Sequence, residues 1–429
     1  MKIKLLIFGI TGDLSTRKLL PAITRIVQTD DFKDIEIIGV SRREVDIAGL
    51  MSAVSTDVTN LTERTRVFSM DLANASDYLR LKDYIALKDD EQLLVYLSVP
   101  PSAATQIVDF LGEASLNDAN VKLLFEKPFG VDLVSATEVI ERSARYFSES
   151  QIYRIDHYLA KEMAQNIAAF RAGNALFSQT WSGKFIESIE IVAFEKIGIE
   201  GRAQFYEQTG ALRDFVQGHL MQLLAIVLMD IPTGLDWNSL PEKRLKALKA
   251  LNSANPEDAF RAQYQGYQDE VKNPGSPTET FASVVLSSSD SRWSNVRLRL
   301  ATGKAMQDKK TEIRIHYRKS HEAQSNCLIF KIQPNEGIEV DLFTKKPGYD
   351  KEFETQKLQY SYGIDSVLPD AYEQVLVDAI RSNKSLFTSS KEVLESWRIL
   401  AQVQYAWSMD NSKLALYRQG SSIDAVICD

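Results

Sequence analysis

A short glycine-containing loop near the start of the chain constrains the fold more than any other feature. Residues 9–14, Gly-Ile-Thr-Gly-Asp-Leu, join a near-continuous apolar run at 2–8 to a helical pattern at 15–27. Such an apolar run is typical of a parallel strand covered on both faces. Glycines at a strand-to-helix turn let the backbone approach a pyrophosphate near unpaired helix N–H groups. The loop is not the full G-x-G-x-x-G, so a turn that needs glycine only for its own geometry stays open.

Strand-like and helical patterns alternate after this loop. A helical pattern covers residues 102–116, and buried-type strands are predicted at 35–40, 67–70, 93–99 and 121–125. This alternation predicts a parallel, doubly wound sheet. We therefore predict a Rossmann-like α/β dinucleotide-binding domain over residues 1–156.

Basic residues follow two of these predicted strands. Arg42 lies where an NAD enzyme usually has an acid for the ribose 2′-hydroxyl, and an arginine there suits a 2′-phosphate, which favours NADP+. Lys127 follows the strand at 121–125. Ligands in such sheets bind beyond the carboxyl ends of the strands, so Lys127 is predicted to lie in the crevice with Arg42 and Gly12. A solvated surface lysine is the alternative.

The stretch RIDHYLAKE, residues 154–162, concentrates ionisable side chains between apolar neighbours. It contains Asp156, Lys161 and His157, one of four histidines in the 429 residues. A carboxylate, an imidazole and an ammonium at a strand-to-helix junction can orient a catalytic base and hold an anionic substrate group. A solvated surface turn is the alternative, but the stretch begins at the end of a predicted strand and so belongs to the same crevice.

The second half of the chain has a different pattern. Half-buried strands are predicted at 188–195, 284–286, 296–300, 311–316, 328–332 and 338–342. With few helical runs between them, they predict a large, mainly antiparallel sheet in an α+β domain at 157–429.

A long apolar helix is predicted at 210–229, and it contains His219. Asp214 is predicted to lie off the face of His219, because residues five apart are not neighbours on an α-helix. Asp156 is then the candidate carboxylate for His219. A histidine base held by a carboxylate suits alcohol oxidation with hydride transfer to a nicotinamide. The alternative is that His219 is a buried histidine whose hydrogen bond is only structural.

Composition excludes several classes of function. The formal net charge is −8, which argues against a nucleic-acid-binding surface. The two cysteines, Cys327 and Cys428, indicate neither a disulfide framework nor a metal site, so a cytoplasmic protein is expected. The longest apolar stretch, 220–229, is too short to span a membrane, and no membrane association is expected.

Several quoted stretches together resemble the glucose-6-phosphate dehydrogenase family over nearly the whole chain. The most specific is RIDHY with the following Lys161. The other matching stretches are GITGDLSTRK (9–18), YLSVPP (96–101), EKPFG (126–130), GALRDFVQGHLMQ (210–222), RAQY (261–264), PTETFA (277–282) and TGKAM (302–306).

The resemblance implies oxidation of D-glucose 6-phosphate at C1 with hydride transfer to NADP+, in a homodimer formed through the large sheet. It implies that His219 is the general base and that Asp156 orients it. The implied substrate-binding residues are His157, Tyr158, Lys161, Lys127, Glu195, Glu207 and Lys304. The implied cofactor-binding residues are Gly9, Thr11, Gly12, Asp13, Leu14, Arg42 and Lys127.

Four positions depart from the family pattern. Gly218, before His219, stands where the family has asparagine, and Ala160 stands where it has glycine. Glu207 stands in place of an aspartate, and Ala301 in place of an arginine. Two other functions stay open. One is a sugar dehydrogenase of the glucose–fructose oxidoreductase type, and the other is an NADP-binding sensor without catalysis.

Overall fold

The structure is a computed structural model that describes residues 2–52, 54, 59–231, 234–319, 325–363, 366, 368–410, 412 and 414–428. The chain divides into two compact units. The first unit contains Met1–Gly130, Val134–Ala160 and Pro369–Val393, and the second contains Val131–Leu133, Lys161–Leu368 and Leu394–Asp429. The predicted domain boundary between residues 156 and 157 stays a prediction, and the structure adds that a late segment returns to the first unit.

The described residues form sixteen strands, which we number in chain order. They are β1 (Lys2–Phe8), β2 (Ile35–Ser41), β3 (Thr65–Ser69), β4 (Glu91–Leu97), β5 (Val121–Phe125), β6 (Ile152–Ile155), β7 (Ile186–Phe194), β8 (Ala259–Tyr264), β9 (Phe281–Leu286), β10 (Arg297–Gly303), β11 (Lys310–Tyr317), β12 (Cys327–Gln333), β13 (Gly337–Lys345), β14 (Phe353–Ser361), β15 (Phe387–Thr388) and β16 (Ala415–Tyr417).

The first unit is built on a seven-stranded sheet in the order β15-β6-β5-β4-β1-β2-β3. Its strands are parallel except for β15, which runs antiparallel to β6. Strands β4 and β5 are buried at every position, as expected where both faces of a sheet are covered. The predicted Rossmann-like domain is confirmed, and its strand order reverses beside β1.

Helices accompany this sheet, and the late segment completes its core. Leu376 and Phe387 pack in the same apolar core as Ile7 and Leu94. The helices that lie wholly or mostly in the first unit are Ser15–Leu19, Leu20–Ile26, Asp30–Phe32, Ile47–Ser52, Thr59–Glu63, Ala75–Ile85, Pro101–Glu113, Leu133–Ala144, Glu149–Gln151 and Ala371–Ile380.

The second unit is built on a nine-stranded sheet in the order β14-β13-β12-β11-β7-β10-β9-β8-β16. Most neighbours are antiparallel, while β7 and β10, and β8 and β16, pair in parallel. The predicted large, mainly antiparallel sheet is confirmed. The helices that lie wholly or mostly in this unit are Glu162–Gly173, Ala175–Ser178, Ala203–Ala211, Leu212–Leu220, Met221–Leu228, Trp237–Ser239, Leu240–Lys249, Pro256–Asp258, Tyr267–Val271, Ser291–Trp293, Ser390–Met409 and Ile423–Cys428.

The long apolar helix differs from its prediction in two ways. The helical run begins at Ala203, before the predicted start, and Gly210 interrupts it with φ 64° and ψ 177°. From Leu212 to Leu220 the winding is that of a π-helix. By length and composition the run 203–228 is apolar enough to cross a membrane, yet 83% of its most apolar window is buried inside the protein, as in a core helix.

Candidate active site

The loop after β1 lies where the strand order of the first sheet reverses, which is where such sheets bind ligands. Gly9 has φ 81°, and a Cβ there would lie 2.3 Å from the carbonyl oxygen of Ser98. The Gly12 N–H donates to the Gly9 carbonyl at 2.9 Å, and the Ser15 hydroxyl donates to the same oxygen at 2.9 Å. The loop therefore depends on glycine at position 9 and leads directly into a helix, an arrangement that fits the pyrophosphate of a dinucleotide.

Three of the other predicted cofactor residues lie in this loop, and Arg42 follows a neighbouring strand. Thr11 and Asp13 are exposed, and Asp13 pairs with Arg17 at 3.1 Å. Leu14 packs against the core. Arg42 follows β2 directly and is exposed, and its role in binding a ribose phosphate stays a prediction.

Lys127 and Asp156 form an ion pair in the first unit. The Lys127 ammonium lies 2.6 Å from Oδ2 of Asp156, whose side chain has no exposed surface, whereas Lys127 is 21% exposed. The other oxygen of Asp156 accepts the backbone N–H of Tyr158 at 3.0 Å. The structure thus brings together two predicted site residues that lie at the ends of neighbouring strands β5 and β6.

Glu126, the residue before Lys127, is a half-buried acid that sequence analysis did not single out. The Tyr96 hydroxyl donates to its carboxylate. Burial raises the pKa of Glu126 to about 7, although the hydrogen bond from Tyr96 and the charge of Lys127 oppose this rise. The charge of Asp156 adds to it.

The raised pKa of Glu126 predicts a pH-dependent stability. The native state holds this proton more tightly than the unfolded chain does, so the stabilisation is complete below about pH 4.5 and is lost as the pH rises to about 7. Glu126→Gln should therefore gain about 1 to 3 kcal/mol in unfolding free energy relative to the wild type between pH 5 and 7.5. Urea titrations would measure this, with the exposed Glu141→Gln as the control. A constant difference across this range would contradict the assignment.

The predicted phosphate-binding residues follow Asp156. The His157 ring lies 4.9 Å from the ring of Tyr158, which is buried, while His157 is half-buried. Lys161 begins the second unit as the N-cap of helix Glu162–Gly173. Burial raises the pKa of Glu336, and the positive charge of Lys161 opposes this.

Lys304 and Glu195 form an ion pair in the second unit. Lys304 is 3% exposed, and its ammonium lies 5.1 Å from the ring centre of Tyr206 and 5.8 Å from that of Phe215. Backbone hydrogen bonds join the same segments, since the Glu195 N–H donates to the Gly303 carbonyl at 2.9 Å. The structure therefore brings these two predicted sugar-binding residues together at the ends of β7 and β10.

Asp214 belongs to this group of charges, which corrects the prediction that it lies away from His219. Burial raises the pKa of Asp214, while the charges of Lys304 and His219 oppose the rise. The physical reason is the π-helix at Leu212–Leu220, where hydrogen bonds join residues five apart and bring positions 214 and 219 towards the same face. The prediction failed because it assumed α-helical geometry for this segment.

Glu207 has partners of its own. Its carboxylate accepts from Tyr267 at 2.6 Å, from Asn273 at 2.6 Å and from Ser276 at 2.7 Å. Burial would raise the pKa of Glu207, but these donors lower it below its usual value. Its role in sugar binding stays a prediction, and its contacts favour a role in fixing the loop after helix Tyr267–Val271.

Comparisons with known proteins agree with this geometry. Residues 6–166 match the family described as "Glucose-6-phosphate dehydrogenase, NAD binding domain", and residues 168–425 match the corresponding C-terminal domain. The chain belongs to the glucose-6-phosphate dehydrogenase family. A glucose-6-phosphate 1-dehydrogenase of Dickeya dadantii (strain 3937) is 32% identical over 460 residues, which cover 97% of this chain and 94% of that protein. The corresponding protein of Gluconobacter oxydans (strain 621H) is 35% identical, with 97% and 93% covered.

Solved structures place the chain in the same family. A glucose-6-phosphate dehydrogenase in complex with its substrate glucose-6-phosphate aligns with a TM-score of 0.93 at 30% identity, covering 99% of this chain and 96% of that one. By contrast, a 3-ketoreductase from Actinomadura kijaniata aligns with a TM-score of 0.54 at 12% identity and shares the fold alone. The two alternative functions are therefore not favoured.

Proposed function

We propose that this enzyme oxidises D-glucose 6-phosphate at C1 to 6-phosphoglucono-δ-lactone and reduces NADP+. The observation that carries the proposal is the charge cluster of the second unit, where the ion pair of Lys304 and Glu195 lies beside Asp214 and His219. Family membership supports the same reaction, because the related structure named above holds glucose 6-phosphate. In this proposal the enzyme acts in the cytoplasm on a soluble sugar phosphate.

The proposed chemistry divides between the chain and its cofactor. His219 takes the proton of the C1 hydroxyl as the carbonyl of the lactone forms. The role of Asp156 as the residue that orients this base stays a prediction. Lys304, Glu195 and Asp214 offer one cation and two acids, which suit the hydroxyls of the sugar. The nicotinamide, when bound, accepts the hydride from C1.

The phosphate of the substrate is held, in this proposal, by His157, Tyr158 and Lys161. Lys161 stands at the N-terminus of a 12-residue helix, where the helix dipole favours an anion. One N–H group of this helix start, that of Met163, already donates to a carboxylate, that of Glu336, at 2.8 Å. Lys127 lies near both cofactor and sugar in this scheme, because it follows β5 and pairs with Asp156.

One assay tests the proposal. The purified protein is mixed with NADP+ and either glucose 6-phosphate, glucose or neither, and NADPH absorbance is followed. We expect turnover with glucose 6-phosphate and far less with glucose. Turnover on glucose alone would favour a sugar dehydrogenase of the other type, and no turnover on either substrate would favour a sensor.

The preference for NADP+ is tested at Arg42. Arg42→Ala should raise the KM for NADP+ much more than the KM for NAD+, because only NADP+ has the 2′-phosphate that arginine pairs with. Steady-state kinetics with both cofactors would measure this. The neighbouring Arg43→Ala is the matched control, since Arg43 is also exposed after the same strand. If both KM values rise alike in Arg42→Ala, the arginine does not read the phosphate.

We also propose a homodimer formed through the large sheet. Its edge strand β14 exposes Phe353, Leu358 and Tyr360 at 69%, 59% and 50% of their surfaces. An exposed edge with apolar side chains is the kind of surface that a second copy can cover. Light scattering of the purified protein would measure its mass in solution.

A further inference from the structure

Glu279 lies in the stretch PTETFA, which has no role in the chemistry proposed above. Glu279 is only 7% exposed. One carboxylate oxygen accepts the backbone N–H of Leu212 at 2.9 Å, and its backbone carbonyl accepts the N–H of Ala211 at 3.0 Å. Glu279 thus holds the first two N–H groups at the start of the π-helical segment that contains Asp214 and His219.

The break at Gly210 makes this contact possible. Gly210 has φ 64°, and a Cβ there would lie 2.6 Å and 2.7 Å from the two carboxylate oxygens of Glu279. The chain can therefore turn at Gly210 and bring the new helix start onto the carboxylate only because residue 210 has no side chain. Helix-start N–H groups need such an acceptor, since no earlier turn supplies one.

Thr280, the residue after Glu279, connects this segment to Lys304. The carbonyl of Thr280 accepts the backbone N–H of Lys304 at 3.0 Å, and the Thr280 hydroxyl lies 2.9 Å from the hydroxyl of Tyr417. Tyr417 in turn donates to the Lys304 carbonyl at 2.7 Å. Glu279 therefore fixes the start of the helix that contains Asp214 and His219, and Thr280, the next residue, fixes the backbone of Lys304.

We propose that Glu279 is a positioning residue that caps the helix of His219 and sets Asp214 and His219 in register with Lys304. This proposal rests on the proposed function, because it expects loss of the cap to lower kcat for that reaction. The contact with Leu212 needs an acceptor at the right distance rather than a negative charge. Burial raises the pKa of Glu279, which agrees with a role that does not depend on ionisation.

Three variants of Glu279 distinguish the effect of the acceptor's position from the effect of its negative charge. Glu279→Gln keeps an oxygen acceptor in place without the charge, Glu279→Asp keeps the charge but withdraws the acceptor by one methylene, and Glu279→Ala removes both. We expect Glu279→Ala to lower kcat about tenfold, because loss of a cap lets the reacting groups shift by a fraction of an ångström or more. Glu279→Asp should lose part of that rate, and Glu279→Gln should stay within about twofold of the wild type.

The KM for NADP+ should stay unchanged in all three variants, since the cofactor loop lies in the other unit. Asp370→Ala is the matched control, because Asp370 also caps a helix through its carboxylate, at Ala371–Ile380 in the first unit. It should lower the melting temperature and leave kcat unchanged. If Glu279→Ala does not fold, the comparison of Glu279→Asp with Glu279→Gln still decides. An unchanged kcat in Glu279→Asp, or a loss in Glu279→Gln as large as in Glu279→Asp, would overturn the proposal.

Amide hydrogen exchange tests the cap without turnover. Peptides that cover residues 211–220 should exchange faster in Glu279→Ala and Glu279→Asp than in the wild type and Glu279→Gln. Equal exchange in all four proteins would overturn the cap. If the wild type does not reduce NADP+ with glucose 6-phosphate, the proposed function fails, and the exchange rates alone then decide whether Glu279 caps this helix.

Discussion

His219→Asn should lower kcat for glucose 6-phosphate oxidation by about three orders of magnitude or more, because it removes the general base while it keeps a similar shape. Substrate binding should change little. His219 is only 5% exposed and contacts the ring of Phe215 at a centroid distance of 5.4 Å, and asparagine can fill much of that space. Single-turnover kinetics and calorimetric binding of glucose 6-phosphate would separate the two effects.

His316→Asn is the matched control for this variant. His316 lies on β11 of the same unit, where it pairs with Ser188, seven residues before Glu195, and its replacement should leave kcat within about twofold. A His219→Asn enzyme with wild-type turnover would remove His219 from the mechanism. A variant that loses substrate binding to the same extent as turnover would show that His219 supports the site rather than the proton transfer.

The sequence predicted the nucleotide unit well because its strands are buried on both faces. β5 was predicted at the residues that the structure shows, 121–125, since four of its five residues are apolar and polar residues bound it on both sides. By contrast, β14 was missed, because nearly all of its side chains are exposed and no alternation of apolar and polar residues marks it. An edge strand of this kind leaves no periodic signal in the sequence.

The candidate site was only partly predictable, for a physical reason that concerns local winding. Asp214 was excluded as a partner of His219 because residues five apart lie on different faces of an α-helix. No pattern in the sequence indicates a π-helix here. Gly210 was taken as the start of a helix, although its positive φ breaks one. The ion pairs of Lys127 with Asp156 and of Lys304 with Glu195 required the sheet order, which depends on contacts between distant segments.

Lys161→Ala should weaken glucose 6-phosphate binding by about ten- to a hundred-fold, since a charge-assisted hydrogen bond to phosphate contributes about 1.5–3 kcal/mol. Glu336 lies close enough to Lys161 for the lysine charge to act on its pKa, so the ammonium has an acidic neighbour before any phosphate binds. Lys161→Arg keeps the charge and should retain more of the affinity than Lys161→Ala. The exposed Lys246, on helix Leu240–Lys249, gives the control variant Lys246→Ala.

The substrate without a phosphate decides whether Lys161 acts through that group. Binding energy from a remote phosphate helps to position C1 against the nicotinamide, so Lys161→Ala should also lower kcat for glucose 6-phosphate. Glucose cannot use the contact, and its kcat/KM should change little. The ratio of the two kcat/KM values must therefore shrink in the variant. Equal losses on both substrates would mean that Lys161 supports the fold or the nicotinamide, and the phosphate would then have to be bound by other residues.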